Sequence, residues 1–522
     1  MVNHILNGGW ATDFGESASA TVDRAGRVLL PFLTQGENLL FRLDGGFEKA
    51  EGTAKINSTA LESGADIRGF HDFWIAGTSG SPAQHRVLHV NTVVMKDDGD
   101  GSFTNINTGL EDDKIPSYAV LNDLLVYTSD SNTDVPQSWD GTTNQNLAGT
   151  PPNFAFHVEH KGRIWAAGIA AKPSTVAYSA LNNPEDWVGA GSGEIPISTD
   201  DGDRITGLAS HNGELIVFKG PYIGSIHRIQ GSAPTGDDPF RRTTHSTGVA
   251  CAGHNSITKI KGNDLAFVTN NGSFRSLEAT ARFGDYEAAA LSLPINSWLR
   301  THANFSQLSR AWGVTEPNGN YSLWTLPVDG GTTNTAMLML DHRFPEPRWS
   351  NWSSYSLASL GISINSSNND NPTLVAGGND GFLYNMQQAN RTVQPDGSVA
   401  ARLKTPTLDY GDPFRMKTIC GSALRITPVS GSDIRFSWMR DGQGTQTTTF
   451  AQSGGGTLLD EFLLDTDSLS ILAATYTYDE MEEGGDFHTI SYSLENETIS
   501  HNIQFHSLGV ALEMDAISME SS

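Results

Sequence analysis

Residues 160–168 read His-Lys-Gly-Arg-Ile-Trp-Ala-Ala-Gly, which is a turn, a short apolar strand and a second turn. The same order returns along the chain at 26–32, 72–77, 122–128, 161–168, 212–219, 262–269, 318–326 and 371–377. Successive copies begin roughly 39–56 residues apart, a spacing that suits the four-stranded blade of a β-propeller better than any helical repeat. We therefore predict an all-β chain dominated by a propeller of about eight blades, with seven as the other count that the spacing allows.

The composition changes at 405–413, where Thr-Pro-Thr-Leu-Asp-Tyr-Gly-Asp-Pro ends the repeat and the strands lengthen. Beyond it, antiparallel strands are predicted at 416–428, 432–439, 446–451, 461–464, 487–494 and 499–514. We predict a propeller domain at 1–404 and a C-terminal antiparallel β-sandwich domain at 405–522. Helical signals are scarce, and we expect short helical turns only at 285–291 and 295–302.

The chain is strongly acidic: its 522 residues include 59 Asp and Glu against 33 Lys and Arg, a formal charge of −26. That charge opposes broad binding to a phosphate backbone. Solubility or adaptation to a salty medium would explain the same composition. No apolar run is long enough for a membrane helix, and the first residues do not resemble a secretory signal, so we expect no membrane-spanning segment and no Sec export. Cys251 and Cys420 are too few for a disulfide framework and are expected to be buried or idle thiols.

The densest acidic clusters are Asp200-Asp201-Gly202-Asp203 and Asp97-Asp98-Gly99-Asp100, and both are interpreted as loop turns. The second cluster resembles part of a calcium loop but lacks the closing Glu. His157, His160 and His254 lack the spacing of a zinc site. We therefore expect no catalytic, cofactor-binding or metal-binding residues, and a chain that is not an enzyme.

Eleven tryptophans could line a sugar-binding rim. Five of them stand at blade positions, where packing between sheets is the expected role: Trp165, Trp187, Trp324, Trp349 and Trp352.

Two consecutive units have distinctive residue patterns. The first has Arg163-Ile164-Trp165 with Ala167-Gly168, then 176–181 and Asn183-Pro184-Glu185-Asp186-Trp187. The second has 202–208, 215–219 and 226–231. Both units resemble tail proteins of tailed bacteriophages, and the phrases at 38–47 and 52–57 are also similar to phage virion proteins. The resemblance is strongest over about residues 150–280. The strands from 415 onward look like an accessory domain of the same proteins.

The resemblance is to the nozzle or hub proteins of short-tailed phages. It implies a homo-oligomeric ring, usually of six copies, beneath the portal and its adaptor, with a needle, plug or fibre below. It also implies a place in the virion tail, assembly in the host cytoplasm, and DNA passing through the lumen without specific binding. A negatively charged wall would avoid retarding that DNA. No cofactor is implied.

Other functions remain open at this stage. Propellers also host sialidases and other glycoside hydrolases, which use paired carboxylates or a Tyr nucleophile, but the sequence offers no recognisable arrangement of spaced arginines or carboxylates. A glycan-binding or receptor-binding tail protein would repeat aromatic and polar residues on one face of each blade. The loops instead vary from unit to unit, which favours contacts with several different neighbours.

Overall fold

The computed structural model describes residues 2–514 apart from 6–8, 13–16, 19–20, 23–26, 30–31, 44, 76–82, 285–289, 345, 347, 365–370, 389–391, 394–396, 428–432, 452–473, 479–485 and 498–502. The chain forms two compact units. The ring unit comprises residues 55–337 and 356–386, and the second unit comprises 1–54, 338–355 and 387–522.

The described part of the ring unit contains seven successive antiparallel sheets, here numbered sheet 1 to sheet 7. Sheet 1 has Ile67–Ile75, Ala83–Val90, Val93–Asp97 and Phe103–Thr108. Sheet 2 has Pro116–Leu121, Leu124–Ser129, Gln137–Trp139 and Asn144–Asn146. Sheet 3 has Phe156–His160, Arg163–Ala167, Thr175–Tyr178 and Gly193–Pro196. Sheet 4 has Arg204–His211, Glu214–Gly220, Ser225–Gln230 and Arg241–Thr247.

The later sheets are less regular. Sheet 5 has three strands, Thr258–Ile260, Asp264–Val268 and Phe274–Ser276. The ring unit holds Trp312–Thr315 and Tyr321–Leu326 of sheet 6, and the chain leaves the unit within Ala336–Asp341. Sheet 7 has Leu357–Ile364, Pro372–Gly378 and Leu383–Gln388. The helices are Leu277–Phe283 and Asn296–His302, with 3-10 turns at Leu61–Ser63, His254–Ser256, Leu293–Ile295 and Phe305–Arg310.

Contacts between successive sheets close the ring. The first strand of every sheet lies innermost, and each neighbouring pair is joined by a side-chain contact at that level. In order from sheets 1 and 2 to sheets 7 and 1, these contacts are His71 stacked on Tyr118, Ser117 with His157, His160 with Ser210, His254 with Leu208, Thr258 with Thr315, Asn334 with Ala358, and Ser359 with Ile67.

The apolar core lies between the sheets. Separate buried clusters join sheets 1 and 2, sheets 2 and 3, sheets 3 and 4, sheets 4 and 5, and sheets 7 and 1. In sheet 3, for example, Ile164 and Ala166 face one neighbour while Trp165 and Ala167 face the other, because successive side chains of a strand point to opposite faces. Two buried faces on strands such as Arg163–Ala167 and Glu214–Gly220 explain why these strands consist of nearly continuous apolar runs. The prediction of an all-β propeller is confirmed.

The second unit contains two larger sheets. One combines Val2–Ile5, Thr21–Val22, Arg27–Leu29, Leu39–Phe41 and Phe47–Lys49 with Lys417–Thr427, Ala474–Tyr478 and Gln504–Met514. The other includes Ser17–Ala18, Gln35–Glu37, Arg348–Asn351, Ala401–Lys404, Thr407–Leu408, Asp433–Arg440, Gln446–Ala451 and Ile490–Asn496. Gly52–Lys55 and a small ladder of Thr392–Val393 with Gly397–Ser398 complete the described strands.

The sheet count differs from eight because the phrase at 26–32 does not begin a propeller sheet. Its strand Arg27–Leu29 pairs in parallel with Val2–Ile5, which in turn pairs with the C-terminal strand Gln504–Met514. The hairpin of Leu39–Phe41 and Phe47–Lys49 also joins that C-terminal strand. Seven sheets, the other count that the spacing allows, remain in the ring unit.

The predicted division at residue 405 also differs from the compact units. Residues 1–54, 338–355 and 387–404 belong to the same unit as the C-terminal strands. The physical reason is that the pairing partners of the N-terminal strands lie more than 400 residues away in sequence, a relation that local patterns do not encode.

Several smaller predictions can be compared directly. The helix expected at 295–302 is present as Asn296–His302, whereas most of 285–291 lies outside the described residues. Cys251 is fully buried, and the Cys420 side chain lies outside the description. In the described part of the chain, no helix has the length and apolar character that a membrane crossing requires.

Candidate functional site

A pocket of about 380 Å3 opens on the face of the ring unit where the first strands of the sheets begin. Its walls come from the loops that follow the second strands of sheets 2 and 3, and from the residues that lead into sheets 3, 4 and 5. The polar and aromatic residues of the lining are Asp130, Asn132, Phe156, Arg204, Thr206, His254, Asn255 and Ser309. The volume lies within the range of about 300–1,000 Å3 that is typical of small-molecule sites.

Asp130 follows the second strand of sheet 2 and supplies a carboxyl group to the pocket wall. Its Oδ1 atom accepts a hydrogen bond of 2.6 Å from the Ile115 amide, which fixes the side chain beside the start of the same sheet. The residue is solvent-exposed, yet the surrounding walls exclude much of the water from its carboxylate. This desolvation raises the pKa of Asp130 above its ordinary value.

Phe156 and His254 stack on each other in the lining of the pocket and give it an aromatic surface. Their ring centroids are 5.0 Å apart and their planes differ by 18°. The Leu208 amide donates to His254 Nδ1 at 3.3 Å, so the neutral imidazole carries its proton on Nε2. Burial lowers the pKa of His254 to about 4, and the surface is therefore uncharged at neutral pH.

Arg204 contributes a positively charged guanidinium group to the pocket. It is the first residue of the innermost strand of sheet 4, and its side chain is exposed. Within the described residues, no acidic side chain lies within ion-pair distance of its guanidinium and no hydrogen bond is made by it.

The residue before it, Asp203, is buried and anchors this corner of the ring. Its carboxylate accepts hydrogen bonds from the amides of Tyr222, Ile223 and Gly224 at 2.6, 3.0 and 2.7 Å. Asp201 pairs with the fully buried Lys219 at 2.6 Å. These contacts fix the backbone from which Arg204 projects.

Two side-chain contacts cross the axis of the ring unit next to the pocket. Asn255, which leads into sheet 5, donates to the Pro116 carbonyl of sheet 2 at 3.1 Å. Arg310, before sheet 6, pairs through two nitrogens with Asp113, before sheet 2, at 2.8 and 2.6 Å. Neither pair joins adjacent sheets, so both contacts run through the middle of the ring. They obstruct this end of the central channel, and Asn255 and Pro116 also line the pocket.

The acidic clusters are loop turns, as predicted. Asp201 caps its own turn by accepting from the Asp203 amide at 2.9 Å. Asp97 and Asp100 accept from the Gly99 and Ser102 amides at 2.8 and 2.9 Å. The structure does not bring either cluster into the pocket.

The three histidines that were considered as zinc ligands, His157, His160 and His254, have different surroundings. His157 is buried, and its Nε2 lies 3.0 Å from the Val126 carbonyl. His160 Nδ1 lies 2.9 Å from Ser210 Oγ. Only His254 of the three lines the pocket. Among the described residues, no group of three or more His, Cys, Asp or Glu side chains is placed to hold a metal ion.

The five tryptophans assigned to packing are buried. Their exposed fractions are at most 8%, and those of Trp324 and Trp349 are 0%. None lines the pocket. Trp165, Trp187 and Trp324 pack between sheets of the ring unit, whereas Trp349 and Trp352 belong to the second unit.

The pocket itself was missed by sequence reasoning. Its residues come from four different sheets and are separated by up to about 180 positions, and each stands in a turn or at a strand end where polar residues are common. The sequence did contain one signal for the pocket. Phe156, Arg204 and His254 occupy equivalent positions in three successive sheets, because each lies at or just before the first strand of its sheet.

This lining can engage a small polar molecule with an apolar face. It offers a guanidinium, a carboxyl with a raised pKa, two side-chain amides and an aromatic surface. Among the described lining residues Asp130 is the single carboxyl. Because its pKa is raised, this carboxyl holds its proton to a higher pH than an ordinary aspartate does.

Comparison with known proteins gives only distant likenesses. No protein-family model matches the chain, and no curated protein matches it. Among solved structures, a gluconolactonase from Xanthomonas campestris is 11% identical, with a TM-score of 0.30, over 68% of this chain and 95% of that chain. An exo-β-1,3-galactanase from Phanerochaete chrysosporium is 8% identical, with a TM-score of 0.28, over 89% of this chain and all 100% of that chain.

These matches correct one expectation. The prediction that the chain is not an enzyme is contradicted, because both of these solved structures are described as enzymes. Their low identities and TM-scores carry no argument about a particular reaction. No phage tail protein is among the solved structures described above.

Proposed function

We propose that the chain is a structural component of a bacteriophage tail, of the nozzle or hub type, that assembles into a ring below the portal and its adaptor. The observation that carries this proposal is the likeness of residues 163–231 to tail proteins. Those residues supply most of sheets 3 and 4, two neighbouring sheets of the ring unit.

The residues that carry the likeness are mainly structural. Arg163 donates to the Ser179 carbonyl at 2.8 Å within sheet 3. Trp187 Nε1 donates to the Pro184 carbonyl at 2.8 Å and so forms the corner that follows the third strand. Asp203 holds the next corner through three backbone amides. A likeness concentrated in such residues supports a common scaffold, which is what an assembly protein needs.

The crossed axis limits the path that DNA could take in this proposal. A channel obstructed by the contacts of Asn255 and Arg310 does not admit a duplex. The lumen would instead lie between copies of the chain, arranged side by side through heterologous contacts that close into a ring. With a formal charge of −26 on each copy, the ring would repel the DNA phosphates.

The test is assembly and location. For the purified full chain, native mass spectrometry together with electron microscopy should show a closed ring of about six copies with an open centre. Antibodies against the chain should label the tail vertex of virus particles. The label should be present on particles that are assembling in the host cytoplasm and on finished virions. Label scattered over the fibre tips, or particles without the chain, would refute the proposal.

A second candidate function is recognition or cleavage of a glycan by the propeller. The specific observation that favours it is the pocket, whose aromatic surface and convergent polar groups are typical of sites for small polar ligands. A glycan array probed with the labelled full chain, followed by a hydrolase assay on each bound glycan, tests this candidate. Binding to no glycan on the array would count against it.

A further inference from the structure

Arg204 has no structural role among the contacts that the structure shows. Two other arginines of the ring unit have acidic partners: Arg68 lies 3.2 Å from Asp113, and Arg310 lies 2.6 Å from the same carboxylate. A guanidinium that faces a pocket without such a partner, on a chain with 26 excess negative charges, retains its full capacity to bind an external carboxylate.

The other residues of the pocket lining indicate which further chemical groups the ligand must have. The stacked rings of Phe156 and the neutral His254 contribute apolar aromatic surface to the pocket lining. The Asp130 carboxyl already accepts one hydrogen bond, from the Ile115 amide. Carboxylate oxygens accept several hydrogen bonds, so Asp130 retains capacity for ligand hydroxyls.

We propose that this pocket binds an acidic sugar, that is, a pyranose bearing a carboxylate. The carboxylate pairs with Arg204, one ring face lies against Phe156, and hydroxyl groups donate to Asp130. Guanidinium and carboxylate geometries match through two parallel hydrogen bonds, which makes the carboxylate the selective feature. A purely anionic ligand without hydroxyls would leave Asp130 and the aromatic surface unused. This inference rests on the second candidate function, glycan recognition, and is independent of the tail proposal.

The experiment is isothermal titration of the full chain with galacturonate and glucuronate, with galactose and glucose as neutral counterparts and acetate as the bare anion. We expect the uronates to bind at least about tenfold more tightly than their neutral counterparts, because one charge-assisted pair is gained. Arg204→Gln should abolish that preference. Arg241→Gln removes the same charge from an exposed position on the outer strand of the same sheet and should leave the preference intact.

The other outcomes distinguish the acidic-sugar inference from the more general glycan-recognition candidate. Equal binding of neutral and acidic sugars, unchanged in Arg204→Gln, would leave glycan recognition standing and overturn the assignment to acidic sugars. Acetate binding as tightly as the uronates would show an anion site and overturn it as well. If none of the sugars binds while the variants melt at the temperature of the parent chain, both this inference and the candidate on which it rests are refuted.

Discussion

The ring unit should lose stability steeply on mild acidification because it buries several histidines in neutral form. His89 and His157 are 2% and 1% exposed, and burial lowers their pKa values to about 4 and about 3. His71 and His254, which are partly buried, have pKa values lowered to about 4 by the same cause. In the unfolded chain each would titrate near 6.5.

The sign follows from which state binds the proton more tightly. A folded-state pKa below the unfolded value means that the unfolded chain takes up the proton first. The stability contribution is therefore complete above about pH 6.5 and is lost as the pH falls toward 4. Between about pH 7.5 and 5.5 each such histidine costs about 1.4 kcal/mol, and the four together cost about 5–6 kcal/mol. That loss is comparable with the whole stability of many domains, about 5–15 kcal/mol.

Three carboxyls with raised pKa values oppose this trend. Desolvation raises the pKa values of Asp66, Asp72 and Asp130 above 3.8, so the folded state binds their protons more tightly. Their stabilising effect appears only as the pH approaches those carboxyl pKa values. The histidine effect should therefore dominate between about pH 7 and 5.

The assay is urea unfolding of the full chain at a series of pH values, followed by tryptophan fluorescence. His157→Gln can still donate to the Val126 carbonyl, and it should reduce the dependence of the unfolding free energy on pH by about 1.4 kcal/mol per pH unit between about pH 6 and 5. Thr301→Ser, at an exposed position without an ionisable group, is the control and should not change it. Equal slopes for the parent chain and His157→Gln would refute the reasoning.

Three further predictions concern packing and charge. Lys219→Met should lower the unfolding free energy by about 3 kcal/mol, because it leaves the Asp201 carboxylate without its buried cation; the double variant with Asp201→Asn should recover part of the loss in thermal melts. Asn334→Ala should cost about 1–3 kcal/mol, because Asn334 Nδ2 donates to the Arg310 and Ala358 carbonyls at 2.8 Å each and joins sheets 6 and 7; native-state hydrogen exchange should show faster exchange at Leu357–Ile364. The full chain should not shift duplex DNA in gel mobility assays at about 0.15 M salt, because its net charge repels phosphates; a shift that weakens as salt is added would contradict this.

The strands could be predicted well from the sequence because the order of apolar and polar residues within each strand indicates which of its faces are buried. In the second unit, the predicted segments at 416–428 and 446–451 correspond to Lys417–Thr427 and Gln446–Ala451. The pairing of the N-terminal strands with Gln504–Met514 could not be predicted, because alternation specifies which side is buried and not which strand lies next to it. The blade count changed for that reason alone.

A local signal was present for one element that was overlooked. Leu277–Phe283 is a helix whose N-cap, Ser276, accepts a hydrogen bond from the Ala279 amide at 3.1 Å. Glu278 in its first turn is also favourable there. The segment was not predicted as a helix because the preceding strand, Phe274–Ser276, runs directly into it.

The pocket depends on ring closure, so no single segment announces it. Asp130, Phe156, Arg204 and His254 come from four sheets that meet only when the ring forms. Read alone, each is a polar or aromatic residue beside a turn. What the sequence lacks is the cyclic order of the sheets, which fixes the distances among these side chains.

The corner at residues 201–204 connects the two proposed functions and also allows them to be separated. Asp203 is buried and satisfies three backbone amides, so it belongs to the scaffold of the ring unit. Arg204, the next residue, contributes nothing to that scaffold among the described contacts and faces the pocket. Because the Asp203 side chain is buried and the Arg204 side chain is exposed, one position can be selected for the scaffold and its neighbour for recognition. A tail component with a sugar site is therefore physically consistent, and loss of binding in Arg204→Gln without loss of the ring would be its signature.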